Sequence, residues 1–307
     1  MVIEARNVVK HFGTRVAVAG IDLAVPPGIC FGLLGPNGAG KTTTLRMVYG
    51  VTRPTAGSVR VFGIDVAVNP RAVRSRLGVT LQQNVLIEAL SPVENLRVFG
   101  RYHRIPHDLL EERVEELLDF LELRSHAHVP VKQLSGGFQR RLAIALSLVN
   151  DPELLILDEP TTGLDPAVRL AVWARVRALR AAGKTILLTT HYMDEAQRLC
   201  DRVAIVAAGK VLAEGAPEEL IAIHLAREAL ECECDENEVP ALLDGLPVAH
   251  VLRTADRLTI YADDVASVAE TIRLRDGGER RVMVLRPANL EDVFLALTGS
   301  TLEESQT

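Results

Sequence analysis

Eight consecutive residues carry the strongest chemical signal in this chain. Gly35-Pro36-Asn37-Gly38-Ala39-Gly40-Lys41-Thr42 follows the apolar run ICFGLL and opens a stretch of helical character that includes Thr43. Glycines at this spacing let the backbone approach a polyphosphate closely, and successive N–H groups with a helix N-terminus then face its negative charge. The Lys41 ammonium suits the β- and γ-phosphates, and the Thr42 hydroxyl suits Mg²⁺. A second apolar run, Leu154-Leu155-Ile156-Leu157, ends in adjacent carboxylates, Asp158 and Glu159. Ligands of open α/β sheets sit at the carboxyl ends of such strands. Asp158 can therefore hold Mg²⁺ through water, while Glu159, pointing another way, can take a proton from an attacking water. Taken alone, a Gly-rich turn can be only a turn and two acids only a helix cap, but their co-occurrence favours phosphoryl chemistry.

A third anion-binding feature is Leu134-Ser135-Gly136-Gly137-Phe138-Gln139, ahead of the helical run RRLAIALSLV. The Ser135 hydroxyl and the Gly136 and Gly137 amides lie at the positive end of that helix dipole.

These groups need a scaffold. The chain has 307 residues, enough for one large α/β domain and a smaller appendage. The first stretch, to about residue 28, reads as short strands and turns forming an antiparallel layer. Residues 84–150 read as a helical insert, with Leu109, Val114, Leu117, Leu118 and Leu121 marking its apolar face. From Glu153 the order strand, helix, strand, helix, strand returns, which implies parallel strands joined by crossovers. The boundary is placed at about 220: residues 1–220 form an α/β nucleotide-binding domain of the P-loop type, and residues 221–307 form a small C-terminal α+β domain. In the tail, VAHVLRTADRLTIYADD reads as a hairpin and DVASVAETIRL as a helix.

Composition excludes several functions. Lys and Arg number 34 against 40 Asp and Glu, a net charge of −6, so the footprint of a nucleic-acid binder is missing. No apolar run approaches the roughly 18 residues that span a bilayer. The N-terminal MVIEARNVVKHFG, charged at Glu4, Arg6 and Lys10, does not read as a secretory signal, which predicts a cytoplasmic protein. Cys30, Cys200, Cys232 and Cys234 contain no CxxC pair, and ALECECD reads as one face of a strand rather than a metal site. The histidines of SHAHVP, His126 and His128, have no ligand partners at suitable spacing and read as surface residues. With no internal tandem repeat, a two-fold assembly requires a second copy.

The order of these motifs resembles the ATP-binding-cassette proteins, whose signature reads LSGGQ; this chain has Phe138 at the last position. The resemblance covers residues 1 to about 220. It implies ATP and Mg²⁺ as cofactors, with each ATP held between one copy's phosphate loop and the other copy's Ser135-Gly136-Gly137. By the same resemblance Gln82 is the glutamine that touches Mg²⁺ and the attacking water, with Gln83 as the alternative. Gly163-Leu164-Asp165 is the loop by which the copies sense each other, and His191, after TILLTT, is the γ-phosphate sensor. A neutral imidazole there can hydrogen-bond a phosphate oxygen. Phe12 takes the place of the aromatic that stacks on adenine.

Within the family, NLRVFGRYHRI, GKTILLTTHYMDEAQRLCDR and RPANLEDVFLALTG are similar to the cassette subunits of drug-resistance and nodulation-factor exporters. That likeness implies an ATPase powering export of a lipo-oligosaccharide or a hydrophobic drug through a separate integral-membrane permease. The subunit would sit at the cytoplasmic face of the inner membrane. A soluble cassette ATPase working on ribosomes or DNA would carry two cassettes or a long coiled-coil insert, and neither is present. An inactive binding module would lack Lys41, Asp158, Glu159 or His191, and all four are present.

Overall fold

Alternating apolar residues pull the first two strands onto one core. β1 (Ile3–Phe12) buries Ile3, Ala5 and Val8, and β2 (Arg15–Val25) buries Val18, Ile21, Leu23 and Val25. They pair antiparallel with Ile3 opposite Val25 and Ala5 opposite Leu23, so both apolar sets face the same side. The computed structural model describes residues 1–235, 237–254, 257–275 and 281–299. They fall into two units, one ending at Ala213 and one beginning at Glu214.

In the first unit β3 (Cys30–Leu34) leads through the Gly-rich loop into α1 (Lys41–Val48). β4 (Ala56–Val61) and β5 (Ile64–Asp65) complete an antiparallel sheet of order β2-β1-β4-β5. A short helix α2 (Pro70–Arg74) precedes β6 (Leu77–Thr80). The helical insert follows: α3 (Pro92–Tyr102), α4 (His107–Phe120) and α5 (Gly136–Leu148), with single 3₁₀ turns between the last two. Then come β7 (Leu154–Asp158), α6 (Pro166–Ala181), β8 (Thr185–Thr190), α7 (Met193–Leu199), β9 (Arg202–Ala207) and β10 (Lys210–Gly215).

The central sheet has order β10-β9-β3-β8-β7-β6, and β6, β7, β8, β3 and β9 pair in parallel. Every residue of β3, β7 and β8 is buried, as continuous apolar strands covered on both faces require. Their side chains continue into one core with the antiparallel layer, joining Phe31, Leu33, Leu154, Ile156 and Leu187 to Ile3, Val18 and Leu45.

The insert departs from the expected face at one residue. Leu109 is 59% exposed, and Leu110 is buried with Val114, Leu117, Leu118 and Leu121. Spacings of four, three, one and three place that set on one stripe of α4, whereas Leu109 stands a residue out of phase. α3 is fixed by a capping box: Ser91 N–H donates to Glu94 Oε2 at 2.8 Å, and the Ser91 hydroxyl caps the helix. The fully buried Asn95 donates to the carbonyls of Ile87, Leu90 and Ser91 and accepts from Ile87 N–H, bracing the loop that runs from β6 to α3.

The second unit begins before the boundary read at about 220, because α8 (Pro217–His224) belongs to it. β11 (Glu228–Glu233), α9 (Val239–Leu243), β12 (His250–Thr254), β13 (Arg257–Ala262), α10 (Val265–Arg275), β14 (Met283–Pro287) and α11 (Leu290–Thr298) follow. The sheet order β12-β13-β11-β14 with this connectivity is a split βαβ sandwich. Leu230, Cys232, Leu258 and Ile260 pack against Val265, Val268 and Ile272 of α10. Buried Tyr261 donates to Asp292 Oδ1 at 2.8 Å, and Arg286 reaches both oxygens of Asp292 at 2.7 Å. Cys232 and Cys234 are both buried, and among the described residues no cluster of His, Cys, Asp and Glu could hold a metal.

Candidate functional site

Sheet order, not sequence order, brings the chemical groups together. β3, β8, β7 and β6 are neighbours and parallel, so the loops leaving their carboxyl ends lie side by side. The Gly-rich loop leaves β3, His191 follows β8, Asp158 ends β7 and Gln82 follows β6.

The loop at β3 depends on two glycines. Gly35 (φ 155°) passes so close to β9 that an added Cβ would fall 2.0 Å from the Val206 carbonyl oxygen. Gly40, left-handed at φ 104°, stands at the N-terminus of α1, where a Cβ would lie 2.5 Å from the Ala17 oxygen. A cavity of about 620 Å³ opens beside this loop, bordered by Pro36, Asn37, Gly38, Gly40, Lys41, Thr42, Thr43, Phe12, Arg15, Ala17, Gln82 and Glu159. Phe12 is 51% exposed at its rim, with Lys10 Nζ 4.9 Å from the ring centroid. A flat aromatic face there suits a base.

Lys41 is buried, and its Nζ donates to the carbonyls of Gly35 (2.6 Å) and Pro36 (3.0 Å) and stands 3.8 Å from Glu159 Oε1. Burial pushes the Lys41 ammonium below its ordinary range, while the Glu159 and Asp158 charges oppose that shift. Four groups converge on the Glu159 carboxylate. Gln82 Nε2 donates to Oε2 at 3.0 Å, Thr162 Oγ1 lies at 3.2 Å, His191 Nδ1 at 3.5 Å, and Lys41 on the other oxygen. The His191 contact does most to hold this carboxyl below the usual carboxylate range; burial works against it, and the Lys41 charge adds to it. The shift keeps this carboxylate ionised and so free to accept a proton, while making it a weaker base than an unperturbed carboxylate. Of the two glutamines left open by sequence, Gln82 borders the cavity, whereas Gln83 lines a separate groove beneath α3 and α5.

Asp158 Oδ1 accepts from Thr42 Oγ1 at 3.1 Å and from Thr189 Oγ1 at 2.6 Å. The Thr42 hydroxyl and the Asp158 carboxylate are in contact, and Gln82 borders the same cavity as Thr42; all three carry the hard oxygen donors that Mg²⁺ takes. These residues therefore fit the metal.

Ser135, Gly136 and Gly137 are not among the residues bordering this cavity. Ser135 caps α5 by accepting from Phe138 N–H, and both Ser135 and Gly136 are exposed. Gly137 packs against α6, where a Cβ would meet Val168 at 2.9 Å. Phe138 is held between the His126 ring, 4.1 Å away, and the Arg141 guanidinium at 4.3 Å, so His126 is half-buried rather than a free surface residue. Gly163 and Asp165 are exposed, with Asp165 at the start of α6.

Four residues of this region escape sequence reasoning. Arg15 borders the cavity, and its guanidinium lies near Gly38. Thr189 shares Asp158 with Thr42. Glu195 is fully buried and accepts at Oε1 from Thr161 Oγ1 (2.7 Å) and Trp173 Nε1 (2.8 Å), joining the loop after Glu159 to the helix after His191. Arg140 is buried on α5. Its signal was present in the sequence, since it falls on the stripe of Ile144, Ser147 and Leu148, where a charge is out of place.

Residues 18–162 match the family described as "ABC transporter", and residues 248–299 match "Nodulation factor export protein NodI, C-terminal domain". Over 307 residues the chain is 47% identical to the "Nod factor export ATP-binding protein I" of Cupriavidus metallidurans, covering 99% of each protein. The chain belongs to the ATP-binding-cassette family. This cassette is also 45% identical to the protein of the same name from Rhizobium meliloti, over 98% of the chain and 89% of that protein. Among solved structures it is similar to an ATP-binding subunit of an ABC transporter (TM-score 0.67, 28% identity, 73% of this chain and 93% of that one). It is also similar to a dimeric cassette in a post-hydrolysis state with ADP and Pi (TM-score 0.64, 28% identity, 70% and 98%). The cassette is thus an ATPase whose hydrolysis is coupled to transport. Among the described residues no helix is long and apolar enough to cross a membrane.

Proposed function

We propose that two copies of the cassette bind two MgATP at their shared interface. Their closing and reopening drives export of a lipo-oligosaccharide or a hydrophobic drug-like molecule through a separate integral-membrane permease. The observation that carries this reading is the split between the groups. Lys41, Thr42, Gln82 and Glu159 border one cavity, with Asp158 bonded to Thr42 and His191 against Glu159, whereas the anion-binding end of α5 at Ser135 is exposed and does not border it. An exposed Ser-Gly-Gly helix end can serve the γ-phosphate of a second copy. The dimeric cassette among the structural relatives supports that arrangement, and the relatives named for Nod factor export support the class of cargo.

In this scheme the Gly35–Gly40 amides and Lys41 hold the phosphates, and Phe12 stacks on the adenine. Thr42, Gln82 and Asp158 hold Mg²⁺, which when bound neutralises charge on the β- and γ-phosphate oxygens. Glu159 takes the proton of the attacking water, Gln82 orients that water, and His191 bonds the γ-phosphate. The subunit works at the cytoplasmic face of the inner membrane, held there by its permease, and nucleic acid has no part.

The test is reconstitution with a candidate integral-membrane permease. Proteoliposomes holding both should move a labelled lipo-oligosaccharide or a hydrophobic dye in an ATP-dependent way, and those carrying Glu159→Gln should not. ATP hydrolysis without movement of either class would refute the cargo assignment.

A further inference from the structure

Arg140 is only 4% exposed, and all five of its N–H groups lie in a fork lined by carbonyl oxygens. Nε donates to Pro160 O at 2.7 Å, and Nη2 donates to Asp158 O at 3.0 Å and Glu159 O at 2.9 Å. Nη1 turns the other way, donating to Leu81 O at 2.6 Å, Asn84 Oδ1 at 3.1 Å and Gln82 O at 3.4 Å. One guanidinium thus holds three successive carbonyls of the loop after β7 and both backbone and side chain of the loop after β6.

The first of those loops is under strain. Glu159 has φ 47°, a left-handed conformation that a residue with a Cβ adopts only when its surroundings impose it. On one side its N–H donates to Thr189 O at 3.1 Å, and on the other its carbonyl is taken by Arg140. The second loop carries Gln82, whose amide meets the Glu159 carboxylate at 3.0 Å. The side chains that meet therefore hang from two segments that leave the paired strands β6 and β7 and are joined beyond the strand ends by the Arg140 fork. Desolvation among these groups pushes the Arg140 pKa down to about 10, which leaves it charged at neutral pH.

The helix that bears Arg140 also starts at Ser135. We propose that Arg140 is a positioning residue that fixes Gln82 and Glu159 relative to one another and ties their placement to the helix whose exposed N-terminus meets the partner copy's ATP. A shift of α5 on closure would move the fork, and with it the water-activating pair of its own copy. The proposal rests on the shared-site reading above.

The experiment uses the full-length chain and two variants. Arg140→Gln removes the charge and most donors, while Arg140→Lys keeps the charge without the planar fork. Three quantities are measured: kcat, KM for MgATP, and affinity for a fluorescent ATP analogue. The expected result for Arg140→Gln is a fall in kcat of about tenfold to a hundredfold, with nucleotide affinity within about threefold of the parent, because misplacement by about 1 Å is costly to rate but leaves the phosphate loop intact. Arg140→Lys should fall between. In a Glu159→Gln background, Arg140→Gln should lower the residual single-turnover rate by no more than about threefold, because the group it positions is already gone.

Parental kcat in Arg140→Gln overturns the inference. So does a loss of nucleotide affinity in step with kcat, or full multiplicative loss in the Glu159→Gln background. If Arg140→Gln does not fold, Arg140→Lys decides by the same criteria, and failure of both to fold assigns the residue to stability and overturns the proposal. A parent chain that hydrolyses ATP at a rate independent of its own concentration would instead sink the shared-site reading, whatever the variants do.

Discussion

Replacing Glu159 by Gln tests the core of the mechanism with the smallest change of shape. The amide keeps the size of the carboxylate and can still meet Gln82 and Thr162, which lie within 3.2 Å, but it cannot accept a proton from water. Removing a positioned general base costs about a hundredfold to ten-thousandfold in rate, or about 3–5 kcal/mol in barrier. Binding should move the other way. At 3.8 Å from Lys41 Nζ, the carboxylate and ammonium attract by about 4 kcal/mol at an effective dielectric of 20, before the cost of burying them is subtracted. That attraction competes with any phosphate for Lys41, so the neutral variant should bind ATP at least as tightly as the parent. Blocked hydrolysis with intact binding should trap the closed pair. Phosphate release should fall to the level above, and light scattering after size exclusion should show a dimer in ATP and a monomer in ADP. Adding Ser135→Arg, which fills the exposed helix end, should abolish the dimer. Hydrolysis at the parental rate, or a monomer in ATP far above the binding constant, would refute both the base assignment and the shared site.

Lys41→Ala should lose most of its affinity for MgATP, because it removes the buried ammonium that the phosphates would meet; unchanged affinity in calorimetric titration of the folded variant would remove the phosphate-loop assignment. A chain truncated after Gly215 keeps all six strands of the central sheet and should still hydrolyse ATP, whereas a folded truncation with no nucleotide binding would show that the second unit is part of the site. Tyr261→Phe keeps the buried ring but takes a donor from Asp292, and should lower the stability of the second unit by about 1–3 kcal/mol in denaturant unfolding while leaving ATPase activity unchanged. A stability equal to the parent's would mean that Arg286 alone satisfies Asp292.

What could be read from sequence is what the chain encodes locally. The Gly35–Thr42 loop and the Asp158-Glu159 strand end are contiguous strings whose residue types fix backbone path and chemistry together. The apolar runs of β3, β7 and β8 had no polar alternation because both faces are covered. Leu109 was misplaced by one residue because a leucine pair on α4 leaves the phase of the helix to its neighbours, and packing chose Leu110. The division of the chain after Ala213, ahead of the change in texture near 220, reflects α8: its sequence looks like a continuation, but its packing partner is α11.

Arg140 shows the other limit. In sequence it is half of a basic pair, Arg140-Arg141, of the kind that usually decorates a solvated helix face. In the fold, Arg141 stacks on Phe138 and pairs with Glu122 while keeping partial exposure, whereas Arg140 is taken inward by carbonyls from two loops distant from it in the chain. Those oxygens exist as acceptors only because β6 and β7 are neighbours in the sheet and because Glu159 bends its backbone to the left-handed side. No local string encodes either fact. A guanidinium is the one side chain that can satisfy such a divergent set from a single stem, so its burial here costs less than a lone charge would, and leaving the fork empty would orphan carbonyls in both loops at once. The loops that do the chemistry and the helix that faces the partner copy are therefore joined by a contact visible only once the sheet has closed.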